Sequence, residues 1–286
     1  MLCAVCQNTE IRKAFVKQEK DFFRCVSCGL IFMHPMPSPH ELKDHYDRSY
    51  YTPWQAQGGK MSDFKRHKTA TFQKWISMIE KHVPKGHILD IGCAMGFFLE
   101  VAQVRGWEPY GLEVSEYSYA IAKQRFDNRI FQGDLLDAHF ACDHFDAVTL
   151  FDVIEHESRP VETFKEIYRI LKPGGILALS TMNTRSLSSR FMGEKWPHYK
   201  PEHLYCFSPS NMSLALRISG FDILEIKKAK KVLNLRYIHS YFQAYPAPVL
   251  TSLSRLIFEV LPKGLTDLGL TLGSGEMLVI ARKKKN

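Results

Sequence analysis

Four of the seven cysteines sit in two tight pairs, Cys3/Cys6 and Cys25/Cys28, with eighteen residues between the pairs. Two C-x2-C turns at that separation match a four-cysteine zinc site. Each turn presents two soft sulfurs to one point, and zinc takes four ligands in a tetrahedron. Gly29 follows the second pair, where a tight turn favours a residue without Cβ. Four thiolates would close the metal off from water, so its role is expected to be structural. The other three cysteines, Cys93, Cys142 and Cys206, are scattered, and an odd count argues against a disulfide framework.

A second constellation begins in Ile88-Leu89-Asp90-Ile91-Gly92-Cys93-Ala94-Met95-Gly96-Phe97-Phe98-Leu99. An apolar strand runs into a small-residue turn, and a helix starts after it. Gly92 and Gly96 let the chain turn tightly and let a ligand approach the backbone. Glu113 lies 21 residues beyond Gly92 at the end of the next strand, where an acid can bind both ribose hydroxyls of a nucleoside. Asp134, with Leu135, ends the third strand and is placed to meet an adenine ring. The fourth strand ends in Phe151-Asp152-Val153-Ile154-Glu155-His156. Cys93 reads as a small buried filler of the turn rather than a nucleophile. Histidines suited to proton transfer occur at His156 and in Glu202-His203, where the neighbouring acid could orient the ring.

These residues need a scaffold that gathers strand ends. Strands are expected near 87–92, 107–114, 129–133, 145–151, 174–181, 221–228 and 276–282. Helices fit near 63–82, 97–105, 116–126, 160–172 and 208–219. Such alternation predicts an α/β fold with a doubly wound, mostly parallel seven-stranded sheet. Ligands bind at the carboxyl ends of the strands in sheets of that kind. Residues 1–33 form the expected zinc ribbon, and 34–62 a proline-rich linker with an aromatic segment that includes Tyr50 and Tyr51. Residues 63–286 form the main domain, interrupted by an insertion at about 232–272. Within that insertion Leu253, Leu256, Ile257, Val260 and Leu261 recur at helical spacing. They are read as a helix packed on the core, with a lid or membrane-touching helix as the alternative.

Composition bounds the rest. The 286 residues are 45% hydrophobic and 24% charged, as in a globular protein. No apolar run reaches the roughly 18 residues of a membrane span, and the N-terminus lacks the layout of a signal peptide. A cytoplasmic protein is expected. The net charge of +8 suits an anionic partner without choosing one.

The segments DIGCAMG at 90–96, GLEVS at 111–115, GDLLD at 133–137, FDAVTLFDVIEH at 145–156 and LKPGG at 171–175 together resemble the class I S-adenosylmethionine-dependent methyltransferases. The resemblance spans about 63–230 and implies a Rossmann-like methyltransferase fold with S-adenosylmethionine as cofactor. It implies that Asp90 and the turn Gly92-Cys93-Ala94-Met95-Gly96 hold the methionine part, with Glu113 on the ribose, Asp134 and Leu135 on the adenine, and Phe151 beside the site. A middle glycine common in the family is Ala94 here. The cysteine pairs placed before such a core resemble a narrower group that includes nucleotide-sugar C-methyltransferases. That narrower resemblance implies Glu202 and His203 as the base region, and Tyr50 or Tyr51 lining the acceptor site. Methyl transfer to oxygen or carbon of a small molecule is therefore expected, with residues 183–207 and 232–272 supplying the acceptor pocket. A dinucleotide dehydrogenase is disfavoured because Phe97 stands where its third glycine belongs. A zinc-ribbon RNA methyltransferase is disfavoured because Lys and Arg of the first 24 residues alternate with acids, so nucleic acid is not the expected partner. A catalytically inactive interaction protein on the same scaffold is the remaining alternative.

Overall fold

The computed structural model describes residues 1–37, 61–244 and 248–285. Tyr50 and Tyr51 lie outside the described residues. The chain opens with three short strands, β1 (Ile11–Lys17), β2 (Lys20–Cys25) and β3 (Ile31–Met33). The helix α1 (Met61–Ile79) leads into alternating β4 (His87–Ile91), α2 (Phe97–Val104), β5 (Glu108–Glu113), α3 (Glu116–Phe126) and β6 (Ile130–Gln132). Next come β7 (Phe145–Phe151), α4 (Pro160–Ile170), β8 (Leu171–Met182), α5 (Leu187–Met192), β9 (Tyr205–Cys206) and α6 (Pro209–Ile218). The last elements are β10 (Phe221–Leu233), α7 (Leu235–Ala244), α8 (Pro248–Val260), α9 (Lys263–Thr266) and β11 (Leu270–Lys283).

The large sheet has the order β10-β11-β8-β7-β4-β5-β6. Only β11 runs against the others, pairing antiparallel with both β10 and β8. The seven-stranded, mostly parallel sheet expected from the sequence is present. Its order reverses beside β4, which pairs with β5 on one side and β7 on the other. Ligands sit outside the strand ends at such a reversal. The central strands read as continuous apolar runs because helices cover both faces. Ile88, Leu89 and Ile91 of β4 and Val148 and Leu150 of β7 are buried.

Local chemistry sets several boundaries. Ser115 caps α3 by accepting from the Ser118 N–H, and Ser208 with Asn211 forms a reciprocal capping box on α6. The helix α4 ends two residues earlier than expected: Leu171 already pairs with Phe145 of β7, and Pro173 cannot continue a helix. The strands β10 and β11 run well past the expected 221–228 and 276–282, pairing as far as Leu233 with Leu270. The interruption at 232–272 is thus a long hairpin that carries α7 and α8 at its end.

One expectation there is corrected. The apolar residues of α8 do not pack on the core: Leu256 is 59% and Val260 72% exposed. The helix leans instead on α7, where the Thr251 hydroxyl donates to the Phe242 carbonyl and His239 stacks on Phe258 at 4.7 Å. Among the described residues no helix is long and apolar enough to cross a membrane.

The cysteine-bearing strands form a second antiparallel sheet, β1-β2-β3-β9. Its fourth strand comes from the far part of the chain: Phe32 pairs with Tyr205 and Ile31 with Cys206. Phe22, Leu30 and Met33 share one buried cluster with Trp196, Leu204, Phe207 and Leu179, so the core is continuous between the two sheets.

Candidate functional site

The β4 strand delivers Asp90 and then breaks into a turn in which Gly92, Ala94 and Gly96 have φ of 69°, 47° and 81°. The left-handed backbone at Gly92 and Gly96 suits glycine, and a Cβ at Gly92 would lie 2.5 Å from a Val153 methyl carbon. Ala94 holds the same region despite its side chain. Glu113 fastens this turn: one carboxylate oxygen accepts the Ala94 N–H at 2.8 Å and the other the Ser115 N–H at 2.8 Å. Each oxygen keeps a further lone pair for a diol. Burial pushes the Glu113 carboxyl up, against the pull of its backbone donors. Asp90 accepts from the Thr149 hydroxyl at 2.6 Å. Burial pushes its carboxyl up to about 7, with Thr149 opposing and Glu113 reinforcing the rise. Asp134 caps a short turn by accepting from the Leu136 N–H at 2.8 Å, and Leu135 is buried beneath it. The Cys93 thiol is buried against the backbone at Gly111 and pushed well up by that burial.

The second half of the site lies past β7. A single turn at Ile154–His156 places Glu155 and His156, and the loop before β9 brings His203 to them. The His156 and His203 rings meet edge to face at 4.8 Å. One ligand-type atom of each of Glu155, His156 and His203 lies within 4.8 Å of the other two. Nδ1 of His156 is 2.8 Å from the Glu202 carbonyl, and Nδ1 of His203 is 2.6 Å from the His198 carbonyl. A carbonyl only accepts, so each Nδ1 carries its proton and Nε2 holds the lone pair of the neutral ring. Burial, reinforced by His156, holds His203 well below the usual histidine range. Burial and the nearby Asp152 push the Glu155 carboxyl up to about 8, although its Oε2 accepts from the Thr181 hydroxyl at 2.8 Å. Glu202 therefore reaches this cluster through its backbone. Its carboxylate lies 3.8 Å from Lys200 Nζ, within the loop.

The cysteine pairs come together across the small sheet. The four sulfurs all lie within 4.8 Å of one another, with Cys3 to Cys28 at 3.5 Å and Cys6 to Cys25 at 3.4 Å. A zinc–sulfur tetrahedron with bonds of about 2.3 Å needs sulfurs about 3.8 Å apart, so the donor set fits zinc with small adjustments. Accepting from Cys28 draws the Cys3 thiol down to about 5, and the Cys28 thiol, which keeps the shared proton, is pushed up. Cys3 thus leans toward the thiolate form that metal requires.

A family of methyltransferase domains matches residues 64–226. That span runs from within α1 to within β10 and contains Asp90, Glu113, Asp134, Glu155, His156 and His203. The chain belongs to this methyltransferase family. Among curated relatives it is 34% identical over 111 residues to the ubiquinone biosynthesis O-methyltransferase of Dechloromonas aromatica, covering 36% of this chain and 47% of that protein. It is 28% identical over 131 residues to the methyltransferase YqeM of Bacillus subtilis, so named on a provisional basis, covering 43% of this chain and 53% of the relative. The chain thus spans about half the length of the curated relatives it matches. Its fold is that of the Synechocystis magnesium protoporphyrin IX methyltransferase solved with bound SAH, with a TM-score of 0.57, 14% identity, and 86% of this chain and 100% of that one covered. The Haemonchus contortus phosphoethanolamine N-methyltransferase 2 complex with S-adenosyl-L-methionine gives a TM-score of 0.54 at 18% identity, covering 89% of this chain and 62% of that one.

Within the methyltransferase domain the structure gathers Asp90, the 92–96 turn and Glu113 at one place, and His156 with His203 at another. Phe151 is half-buried at the carboxyl end of β7. Its ring packs among Phe72, Trp75 and Phe98 at 5.7, 4.8 and 5.1 Å. Two features escaped the sequence reading. Glu155 was passed over beside His156, although both belong to the FDVIEH run. Lys231 was hidden because β10 was expected to stop before it. Its buried ammonium bridges Asp152 at 2.7 Å and Glu276 at 2.6 Å, and those two acids push it up while holding it between β10, β11 and the end of β7.

Proposed function

We propose that this chain transfers a methyl group from S-adenosylmethionine to a hydroxyl oxygen of a small molecule. The observation that carries the reading is the pair of buried carboxylates, Asp90 and Glu113, flanking a turn whose backbone admits a ligand. Asp90 supplies a negative partner for the ammonium of the methionine moiety. Glu113, already aligned by two backbone N–H groups, takes the ribose diol, and Asp134 and Leu135 border the adenine.

On the acceptor side, the cluster of Glu155, His156 and His203 handles the proton of the acceptor hydroxyl. The oxygen then attacks the methyl carbon in line with the carbon–sulfur bond, the bond's electrons pass to sulfur, and a neutral thioether leaves. Holding the two reactants at that angle is the larger part of the catalysis. Oxygen is favoured over carbon by the relatives named O-methyltransferase. A hydroxyl-bearing sugar falls within this acceptor class, and the four-cysteine module ahead of the domain supports it. The module holds one zinc through Cys3, Cys6, Cys25 and Cys28 and shapes the acceptor side by pairing β3 with β9.

Calorimetry tests the cofactor assignment. The chain is expected to bind S-adenosylmethionine, and Glu113→Ala to weaken binding at least about tenfold, since lost diol contacts cost about 1–3 kcal/mol. Unchanged binding in the variant would remove Glu113 from the site.

A further inference from the structure

We propose that the outward apolar face of α8, with the short α9 and the turn beyond it, seats on an anionic lipid bilayer, lying in its surface rather than crossing it. Such an attachment is independent of methyl transfer. Of the large apolar side chains exposed among the described residues, six fall within residues 253–268: Leu253, Leu256, Ile257 and Val260 on α8, then Leu265 and Leu268. A cluster of this kind marks an interaction surface, whereas single exposed leucines mark nothing.

The helix is turned so that the exposure is built in. Residues three, four and seven apart share one face of a helix. Thr251, Ser254 and Phe258 make the face that meets α7. The Thr251 hydroxyl donates to the Phe242 carbonyl, the Ser254 hydroxyl lies 3.4 Å from Nδ1 of His239, and Phe258 stacks on the His239 ring. Leu253, Leu256, Ile257 and Val260 make the other face, which points outward. Two hydroxyls thus face the protein and the aliphatic stripe faces the surroundings, the reverse of a helix that serves a core.

Charge selects the occupant. Residues 227–272 hold seven lysines and arginines against two acids, a net +5 out of the chain's +8. Lys228 and Lys230 are exposed on the hairpin stem and Arg255 on α8. Beside Leu268, Arg66 and Asp267 line a cleft of about 410 Å³, and Arg236 pairs with that acid at 2.8 Å, which leaves two cations to one anion there. A second copy of this chain would bring like charges to such a face. An anionic bilayer attracts the cations and takes up the apolar side chains together. The 13 residues of α8 span about 20 Å, short of the roughly 30 Å of a hydrocarbon core, so the helix lies at the headgroup boundary. Lys231, on the stem of the same hairpin, bridges Asp152 and Glu276, which ties the bilayer-facing end to the end of β7.

The test is cosedimentation of the full chain with vesicles of equal parts phosphatidylglycerol and phosphatidylcholine, beside vesicles of phosphatidylcholine alone. Binding is expected on the mixed vesicles and at least about tenfold weaker on the neutral ones. Leu256→Gln combined with Val260→Gln should weaken binding to the mixed vesicles at least about tenfold, through lost apolar contact. Lys228→Glu combined with Lys230→Glu should do the same through charge. Val104→Gln, at an equally exposed apolar position on α2, should leave binding unchanged. Far-ultraviolet circular dichroism shows that each variant is folded. No binding to the mixed vesicles, equal binding to both kinds, or undiminished binding by the Leu256 and Val260 variant would overturn the proposal. A parent chain that ignores vesicles and sediments as a dimer, with the same double variant a monomer, would overturn it in favour of a second copy on this face.

Discussion

The two halves of the proposed site are built in opposite ways. The nucleoside half is local: Asp90, Gly92, Ala94 and Gly96 occupy one turn, and Glu113 clamps it through the N–H of Ala94. Its geometry is held by backbone, so few side chains can disturb it. The acceptor half is assembled at a distance. His156 is aimed by the carbonyl of Glu202, and the loop carrying Glu202 and His203 is held by β9 against β3. Tyr205 adds a bond from its hydroxyl to the Ser158 carbonyl, tying the same loop to the turn after β7. A cofactor site common to many acceptors can be rigid and local. An acceptor site built on a borrowed strand can be altered without touching it.

That contrast breaks most sharply at His203. His203→Ala is expected to lower turnover about 100- to 10,000-fold, the range for removing a group that handles a proton, with little change in cofactor affinity. Steady-state rates beside calorimetry separate the two, and near-normal turnover would take His203 out of the chemistry. Next in size is the cysteine module. Replacing Cys25 and Cys28 together with serine should release the zinc, loosen β3 from β9, and cost about 100-fold in turnover through misalignment. Cofactor binding should survive, and equal loss of both activities would mean the halves are not independent.

The nucleoside half has its own signature, in pH. The Asp90 carboxyl is raised to about 7 by burial, far above its value of about 3.9 in an unfolded chain. Stability from this group is therefore full below about pH 4 and is lost as pH rises through about 7. Binding of a cationic ligand runs the other way, because the ammonium prefers the ionised carboxylate. Affinity for S-adenosylmethionine should rise about tenfold from about pH 6 to about pH 8, and Asp90→Asn should flatten that slope. A flat profile in the parent chain would detach Asp90 from the ammonium. The smallest effect sharpens the acceptor half alone: Tyr205→Phe removes one hydrogen bond and should cost about 0.5–1.5 kcal/mol of stability in denaturant unfolding. Turnover should fall more than cofactor affinity does.

The same division governs what could be read from the residues. The turn at Gly92–Gly96 and the acid at Glu113 were legible because their partners lie in the same or the next strand, where spacing is set by one strand and one helix. The mostly parallel sheet followed from the alternation of strands and helices. A two-residue strand such as β9 leaves no periodicity to detect, so the pairing that positions His203 had no trace. Adjacency also misled at Glu202: neighbours in a loop need not point together, and its carboxylate turned toward Lys200 while its carbonyl served His156. Glu155 looked like one more acid in an apolar run until the loop folded over it. The apolar face of α8 shows the converse, since helical spacing identifies a stripe but not what the stripe meets.

The pairing of Phe32 with Tyr205 has a consequence for how the chain acquires its shape. Its two partners are separated by nearly the whole parallel sheet, so closing that contact costs the entropy of a very long loop. During synthesis the first three strands emerge early, but the outer edge of β3 has nothing to pair with until residues 205–206 follow. An unpaired edge invites pairing with another chain. Early capture of a metal by the four cysteines would keep the first strands compact through that interval, leaving a pre-formed template onto which the acceptor loop docks as a late step of folding.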